Sequence, residues 1–478
     1  MTLFTGCRSA ALYLLVASAV TAICHTADAN GIDSASVQRG AYIAIASDCT
    51  ACHTAPGGLP FAGGLPIASP VGIIYSTNIT PSASAGIGGY TEAEFSRAIR
   101  EGVRKDGANL YPAMPYTSYR LLTDADVHDL YNYFLESVVP VNIKPKATAL
   151  PFPLNIRMSM MAWNLLFLPS GSFHDNSGQT ADWNRGKYLV DGPAHCGECH
   201  TPRGLLMEVQ QAKYLAGSQV GPWFAPNITA DNASGIGGWN QQDIAKFLRT
   251  GSLPGKARAG GSMGEAVEHS FQYLSPADLN AIATYIATVP SIHDAADITS
   301  RFSYGGPATP VVMLRGENGV LSYNNSSATG AELYSSNCAS CHSVFGQGSK
   351  DNYYPSLFHN SVTGAAVSSN LIATILYGVH RTTSSGEAYM PGFGGEKTDL
   401  NQLSNSQVAL LASYVFQQYG HPQLVSASDV SVIRQGGPTS PILLLARVGV
   451  GAGVATAVIL LLLILFLLFR SYRQRRVA

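Results

Sequence analysis

The chain has 478 residues and a formal net charge of -1 at pH 7, with 46% of its residues hydrophobic and 12% charged. A chain of this length is expected to divide into several folding units of about 100 to 150 residues each. The balanced charge offers no basic surface to a polyanion, so the composition excludes nucleic acid as a partner.

The N-terminus predicts a secretory signal peptide over residues 1–29. Arg8 is the single charge before an apolar run over residues 10–23, and the small-residue pattern Ala-Asp-Ala follows at residues 27–29. A weakly cationic start, a short apolar core and a small-residue site are typical of a segment that is removed on export. The alternative is an N-terminal membrane anchor, for which the apolar run is short.

The cysteines form one motif that occurs three times. Cys7 and Cys24 fall in the predicted signal peptide, and the other six cysteines all lie in C-x-x-C-H motifs. This motif is typical of c-type haem attachment, because two thiols add to the vinyl groups of one porphyrin and the adjacent imidazole then binds the iron. The sequence therefore predicts three covalently bound haem c groups. Their thioethers are expected from Cys49, Cys52, Cys196, Cys199, Cys338 and Cys341, and their proximal iron ligands are expected to be His53, His200 and His342.

Other uses of cysteine pairs explain the pattern less well. A C-x-x-C pair can be a thioredoxin-like redox centre or half of a zinc site, and an exported protein can hold structural disulfides. A zinc site needs four ligands, whereas these pairs begin 147 and 142 residues apart along the chain. None of these alternatives explains a histidine at the same offset in all three motifs.

Repeated sequence around the motifs predicts an all-α fold of three tandem cytochrome c domains. Residues 75–80 end in Asn-Ile-Thr, and so do residues 224–229. A helix is expected to lead into each motif, and an amphipathic helix is expected to close each unit. These closing helices are predicted at residues 124–138, 275–289 and 404–419, and the domains at residues 34–140, 180–292 and 326–422.

Each predicted domain holds one methionine that is suited to the sixth position of the iron. Met114, Met263 and Met390 lie 65, 67 and 52 residues after the first cysteine of their motif. Each is bounded by Pro or Gly, so we expect a loop that reaches the opposite face of the haem. Ligation by His and Met holds the reduction potential high, which suits an electron carrier. His269 is the alternative to Met263, and no catalytic residue is predicted.

The linker over residues 140–182 contains an apolar, methionine-rich stretch from Met158 to Leu168. Methionine fills irregular gaps, so the stretch is expected to pack as a strap along the domains. A contact with a partner protein or with a membrane is the alternative.

Residues 448–469 contain no charged residue and predict a single transmembrane helix. At about 1.5 Å per residue they span the roughly 30 Å hydrocarbon layer. Arg470, Arg473, Arg475 and Arg476 follow at once, and arginine clusters of this kind stay on the cytoplasmic side. We therefore expect a single-pass protein of the cell membrane, with its haem domains on the periplasmic side and its C-terminus in the cytoplasm.

The chain resembles the tri-haem cytochrome c subunit of bacterial membrane-bound dehydrogenases over almost the whole of its predicted exported part. The stretches that carry the resemblance are more specific than C-x-x-C-H alone, and they are Tyr75–Pro81, Leu110–Tyr116, Asp182–Asp191, His195–Arg203 and Ser349–Leu357. In that family the cytochrome subunit takes electrons from a catalytic subunit and passes them to ubiquinone. The resemblance therefore implies an electron-transfer role, and it allows for a small third subunit in the complex.

Two branches of this family differ in their catalytic partner. One partner is a quinoprotein alcohol dehydrogenase, and the other is a flavoprotein that oxidises gluconate, fructose, sorbitol or a similar polyol. The apolar C-terminal helix with its arginine tail is similar to the flavoprotein branch, as are residues 256–263 and 376–383. The chain has no G-x-G-x-x-G that opens a βαβ unit, so the flavin is expected on another chain.

Two other functions stay open on the sequence alone. A haem enzyme such as a peroxidase needs an open iron position, against which the three methionines argue. A cytochrome that feeds a terminal oxidase or a nitric oxide reductase usually carries fewer haems. The preferred interpretation is a non-catalytic, electron-transfer subunit of an oxidoreductase complex.

Overall fold

The computed structural model describes residues 33–307, 329–395, 399 and 401–477. The predicted signal peptide and the first residues of the predicted third domain, 326–328, lie outside this part of the chain. The described chain is mostly helical, and its helices form three repeated units followed by one long C-terminal helix. Four antiparallel β-hairpins lie in the long loops of the described chain. Their strands satisfy backbone N–H and C=O groups that are not part of a helix. The predicted all-α fold is therefore confirmed only in part.

The first unit begins and ends with long helices that cross each other. Its elements are α1 (Ser34–Ala46), α2 (Cys49–His53), β1 (Pro66–Ser69), β2 (Gly72–Tyr75), α3 (Glu92–Glu101), α4 (Tyr116–Tyr119) and α5 (Asp124–Glu136). Ile43 of α1 packs with Leu130 and Phe134 of α5 in a buried core. The linker after this unit forms one further helix, α6 (Ser159–Phe167).

The second unit repeats this plan with a more elaborate segment before its last helix. Its elements are α7 (Ala181–Asp191), α8 (Cys196–His200), β3 (Ser218–Val220), β4 (Trp223–Ala225), α9 (Gln241–Thr250), β5 (Ser252–Leu253), β6 (Ala257–Arg258), α10 (Gly261–His269) and α11 (Pro276–Ile286), with 3-10 turns at Gln211–Lys213, Phe271–Tyr273 and Arg301–Ser303. Leu189 of α7 packs with Leu279 and Ile282 of α11 in its core.

The third unit is shorter and continues into the C-terminal helix. Its elements are α12 (Gly330–Asn337), α13 (Ala339–His342), α14 (Ser369–Tyr377), β7 (Val379–Thr383), β8 (Gly386–Met390), α15 (Asn405–Tyr419), α16 (Ala427–Arg434) and α17 (Ile442–Val477). Leu333 of α12 packs with Leu411 and Phe416 of α15 in its core, and α16 adds Val430.

Each closing helix begins at a residue whose side chain caps it. Thr123, Ser275 and Ser404 each accept a hydrogen bond from the backbone amide three residues later, which satisfies a donor that the first helical turn leaves free. The three closing helices begin within one residue of their predicted starts. Two of them, α5 and α11, end two and three residues before the predicted end.

A glycine lies where the first and last helices of each unit cross. A methyl group at Gly40 would lie 1.9 Å from the carbonyl oxygen of Asp129, and one at Gly186 would meet the backbone of α11 at the same distance. A methyl group at Gly330 would lie 2.5 Å from the carbonyl oxygen of Leu410. The two helices therefore touch backbone to backbone, and any side chain at these positions would force them apart.

A bidentate ion pair orients the same crossing in the first two units. Arg39 donates from Nε to Asp129 at 2.6 Å, and Arg185 donates from Nε to Asp278 at 2.8 Å, each with a second bond from Nη2. The hydrogen bond from Arg39 lowers the pKa of Asp129, which keeps the pair charged. Two parallel bonds fix orientation as well as distance.

The C-terminal helix is the one helix of the described chain that is long and apolar enough to cross a membrane, by length and composition. Residues Ile442–Gln474 have a mean hydropathy of 3.0, and the apolar window within them is not buried in the protein at all. Its uncharged part, residues 448–469, lies between Arg447 and Arg470.

We predict that Gly186→Ala destabilises the second unit. Alanine has the higher helix propensity by about 0.8–1 kcal/mol, but the overpacking at the crossing costs about 1–3 kcal/mol, so the net effect is a loss. Thermal unfolding followed by circular dichroism measures it.

Gly238→Ala is the matched control, because a methyl group at Gly238 meets no atom within 4 Å. Equal unfolding midpoints for the two variants would show that the helices can separate without cost.

Candidate haem sites

The attachment motifs lie on short helices that follow the first helix of each unit almost at once. In the first two units α2 and α8 begin at the first cysteine, and the preceding residues, Asp48 and His195, adopt left-handed backbone angles with φ of 49° and 37°. This turn separates each attachment helix from the long helix before it. In the third unit Cys338 caps α13 without such a turn.

All three motif histidines are oriented by the same hydrogen bond. Nδ1 donates to the carbonyl oxygen of a later loop residue, at 2.6 Å for His53, 2.7 Å for His200 and 2.9 Å for His342. Burial lowers the pKa of each histidine, which keeps the imidazole neutral. With its proton on Nδ1, each ring leaves the lone pair of Nε2 free for a metal, as a histidine ligand requires.

The repeated Asn-Ile-Thr segment directly follows the residue whose carbonyl group orients the histidine, and its hydrogen bonds fix the position of that carbonyl. The acceptor for His53 is the carbonyl of Thr77, directly before Asn78. The Asn78 amide donates to the carbonyl of Val141 at 2.7 Å, and its oxygen accepts from the amide of Thr80 at 2.8 Å. The second unit repeats this network around Asn227. The repeat visible in the sequence therefore positions the proximal imidazole.

The thiols have the character of buried groups and not of a redox pair. Burial raises the pKa of Cys49, Cys196 and Cys338 to about 12, whereas redox-active and metal-bound thiols have a lowered pKa. The six cysteines of the described chain form no disulfide. Within the same residues, no three His, Cys, Asp or Glu side chains gather in a way that would hold a zinc ion. These residues fit covalent haem attachment better than the alternatives.

Each candidate distal methionine packs against the same core as a cysteine of its own unit. Met114 and Cys49 flank the first core, Met263 and Cys196 the second, and Met390 and Cys338 the third. In each unit the candidate methionine and the first attachment cysteine therefore lie against one core.

The local setting of two of these methionines differs from the expected loops. Met114 lies in a turn before α4, as predicted, but Met263 lies in the first turn of α10 and Met390 is the last residue of β8. The glycines around Met263 start a helix, because Gly260 is its N-cap and Gly261 takes a positive φ of 53°. Met390 is drawn into a strand by pairing with Val379.

His269 lies less favourably than Met263 for binding the second iron. It is the exposed last residue of α10, and at 100° per residue it points about 120° away from Met263 around the helix. Met263 is half-buried against the second core. The geometry favours Met263.

The first two units are joined by reciprocal contacts. Tyr42, two residues after the crossing glycine of the first unit, donates to Asp278 of α11 at 2.6 Å. Tyr188, at the same place in the second unit, donates to Asp126 of α5. Each tyrosine thus crosses to the closing helix of the other unit.

The same two units also exchange contacts at their haem sites. Glu198, inside the second attachment motif, accepts hydrogen bonds from Thr117 at 2.7 Å and Ser118 at 3.2 Å, which follow Met114 in the first unit. Burial opposes the ionisation of Glu198, but Arg203 outweighs it and lowers the pKa. In return α10, which carries Met263, packs against α2. Each distal segment therefore adjoins the other unit's attachment helix.

The third unit reaches the second haem site through its hairpin. Arg381 of β7 is buried in the second unit, where it donates to the carbonyl oxygen of Ala259 and lies directly against Gly251. In the first unit the equivalent glycine, Gly102, is covered by the ring of Tyr116 from the same unit. The β7–β8 hairpin thus packs on α10 and also ends at Met390.

A profile of the cytochrome c family matches residues 37–137, 184–290 and 327–418. Each matched range contains one attachment motif with its oriented histidine and one candidate distal methionine. The chain belongs to the cytochrome c family, whose domains bind haem c covalently.

Within that family the chain is similar to cytochrome subunits of dehydrogenases. It is 48% identical to the fructose dehydrogenase cytochrome subunit of Gluconobacter japonicus, over 87% of this chain and 86% of the relative. It is 38% identical to the cytochrome c subunit of alcohol dehydrogenase (quinone) from Gluconobacter oxydans, over 87% and 85%. It is 36% identical to the gluconate 2-dehydrogenase cytochrome c subunit of Pantoea cypripedii, over 84% and 90%. The resemblance predicted from the sequence is confirmed.

We predict that Met263→Ala removes about one third of the near-infrared charge-transfer band that methionine-bound ferric haem gives, because one of three irons loses its sulfur ligand. Absorption spectroscopy of the oxidised protein measures the band. His269→Ala is the control and should leave the band unchanged. The opposite pattern in the two variants would assign His269 as the ligand.

Proposed function

We propose that this chain is the electron-transfer subunit of a membrane-bound dehydrogenase complex, that it carries three haem c groups, and that it passes electrons from a catalytic subunit to ubiquinone. A bound haem iron supplies one-electron chemistry, since it changes between the ferric and ferrous states. The residues of the chain attach each haem, supply both axial ligands and hold neighbouring sites together.

The observation that supports this proposal is the same in each of the three units: the motif histidine is oriented by a backbone carbonyl, and a methionine packs against the same core as the first cysteine of that motif. Iron with both axial positions filled has no place for a substrate, so the arrangement favours electron transfer over a peroxidase-like reaction. The proposed thioethers are those of Cys49, Cys52, Cys196, Cys199, Cys338 and Cys341. The proposed axial pairs are His53 with Met114, His200 with Met263, and His342 with Met390.

The partner that we propose is a flavoprotein dehydrogenase acting on a sugar, a sugar acid or a polyol. The relative with 48% identity is named as a fructose dehydrogenase subunit, and another relative as a gluconate 2-dehydrogenase subunit. A quinoprotein alcohol dehydrogenase is the second candidate, since a relative named for that enzyme is 38% identical. The higher identity favours the flavoprotein. A terminal oxidase partner has no counterpart among these relatives.

The proposed topology places three domains, at residues 34–140, 180–292 and 326–422, on the periplasmic side of the membrane and the arginine tail in the cytoplasm. The third domain lies next to the membrane helix along the chain, and α16 packs Val430 and Ile433 into its core just before α17 begins. We therefore assign the third haem to the step that delivers electrons to quinone in the bilayer.

The first test compares the isolated chain with the complex. Because the chain has no substrate site of its own in this proposal, fructose, gluconate and ethanol should leave its haems oxidised. Haem absorption at equilibrium should show reduction only after the catalytic subunit is added. Reduction of the purified chain by any of these substrates, with flavin and pyrroloquinoline quinone absent, would identify a catalytic cytochrome instead.

The second test removes the third haem through the pair of substitutions Cys338→Ser and Cys341→Ser. The complex should retain two haems, counted by mass spectrometry, and should lose ubiquinone reduction by at least about tenfold. Reduction of a soluble artificial dye by the catalytic subunit is the control and should persist. Undiminished ubiquinone reduction with two haems would place the quinone step at another domain.

A further inference from the structure

An apolar surface lies exposed on the linker between the first two units and on the loop that follows α8 in the second unit. We use "apolar face" for the side chains of Phe152, Ile156, Met158, Met161, Leu165, Leu166, Leu205 and Leu206, all of which are exposed. Leu165 is 86% exposed and Met158 70%, whereas soluble proteins rarely gather so many large apolar side chains in one exposed place. Residues 158–173 contain no charged side chain.

Two polar side chains of α6, those of Trp163 and Asn164, form hydrogen bonds with the protein body. Asn164 of α6 accepts a hydrogen bond from the Tyr116 hydroxyl at 2.8 Å and donates to the carbonyl of Glu101 at 2.9 Å. The Trp163 indole donates to the carbonyl of Leu206 at 2.9 Å. These bonds hold α6 against the first two units and leave Leu165 and Leu166 exposed.

Arg157 anchors the start of the same segment to the first unit. Its guanidinium donates to the carbonyl of Asn109 at 2.8 Å and stacks on the Tyr111 ring with 4.5 Å between them. The Tyr111 hydroxyl donates to the carbonyl of Leu154 at 2.9 Å. The charge of Arg157, the linker residue next to Met158, is therefore directed into the protein and away from the apolar face.

The apolar face is continuous with the N-terminal end of α17. Arg447, the last charged residue before the uncharged part of α17, donates from Nε to the carbonyl of Phe152 at 3.3 Å. Ser440, just before α17, contacts the sulfur of Met207 at 3.9 Å, next to Leu205 and Leu206 in sequence. The face therefore begins where α17 leaves the protein body.

We propose that the apolar face is a second membrane contact, which lies in the interfacial layer of the same leaflet that α17 enters. The occupant is the lipid of that leaflet, because the face adjoins the span, consists of uncharged apolar side chains, and the polar side chains of Trp163 and Asn164 beside it bond to the protein. It holds the protein body at a fixed orientation to the bilayer, which a single helix does not. The proposal rests on α17 crossing the bilayer and is independent of the electron-transfer function.

The test measures thiol accessibility in the full chain reconstituted in phosphatidylcholine vesicles. Six cysteines are consumed by haem attachment and two lie in the predicted signal peptide, so Leu165→Cys introduces a unique thiol. A charged, membrane-impermeant maleimide should modify it at least about tenfold more slowly than the thiol of Leu424→Cys. Leu424 is the matched control, since it is 78% exposed and lies outside the apolar face. Leu166→Cys provides a second position with the same expectation.

An uncharged, lipid-soluble maleimide separates shielding by lipid from shielding by protein. It should modify the thiols at positions 165 and 424 at similar rates. Similar rates with the charged reagent would overturn the proposal, because the face would then lie in water. Slow reaction of Leu165→Cys with both reagents would also overturn it. Protection that requires the catalytic subunit would assign the face to a protein partner and equally contradict a lipid contact.

Discussion

The backbone contact at the crossing glycine controls the geometry of each unit. The attachment helix follows the first helix after a turn of at most four residues, and the segment with the candidate methionine precedes the closing helix. Because Gly40, Gly186 and Gly330 let these two helices touch, the proximal and distal sides of a site are set by one contact. The motif histidine lies just after the first of these helices and the candidate methionine before the second, so a displacement at the crossing would move both residues.

The three units differ in how they contact one another. The first two exchange matched tyrosine contacts and matched contacts between distal segment and attachment helix, which makes their two haem sites near neighbours on both sides. The third joins the second by a different route, through a hairpin that inserts Arg381 and ends at Met390. The order of the units along the chain therefore agrees with their contacts, and the third unit is the one next to the apolar C-terminal helix α17 along the chain.

Local patterns made the attachment motifs, the closing helices and their caps predictable, because each depends on residues close in sequence. The three methionines stay predicted iron ligands, but the loops expected around Met263 and Met390 were wrong, because Gly260 starts a helix and Met390 pairs with Val379 in a hairpin. Arg381 was missed because its partners lie more than a hundred residues away. The Asn-Ile-Thr repeat was seen, yet its purpose needed the fold, which alone shows the carbonyl of Thr77 facing His53. The sequence showed that residues 158–168 are apolar, but which of their side chains are exposed depends on the tertiary hydrogen bonds of Trp163 and Asn164.

The two equivalent glycines at the ends of α3 and α9 show how independently each unit can evolve. Gly102 is covered by Tyr116 of its own unit, so the first unit is complete in this respect. Gly251 is covered by Arg381, a residue encoded about 130 codons later. A gene shortened by deletion of its third unit would leave the carbonyl of Ala259 without its donor and a hollow beside Gly251. A two-unit chain derived from this one would therefore need another side chain at that place. The second unit depends on the third for this contact, so these two units are less easily separated by gene rearrangement than the first unit would be on this ground alone.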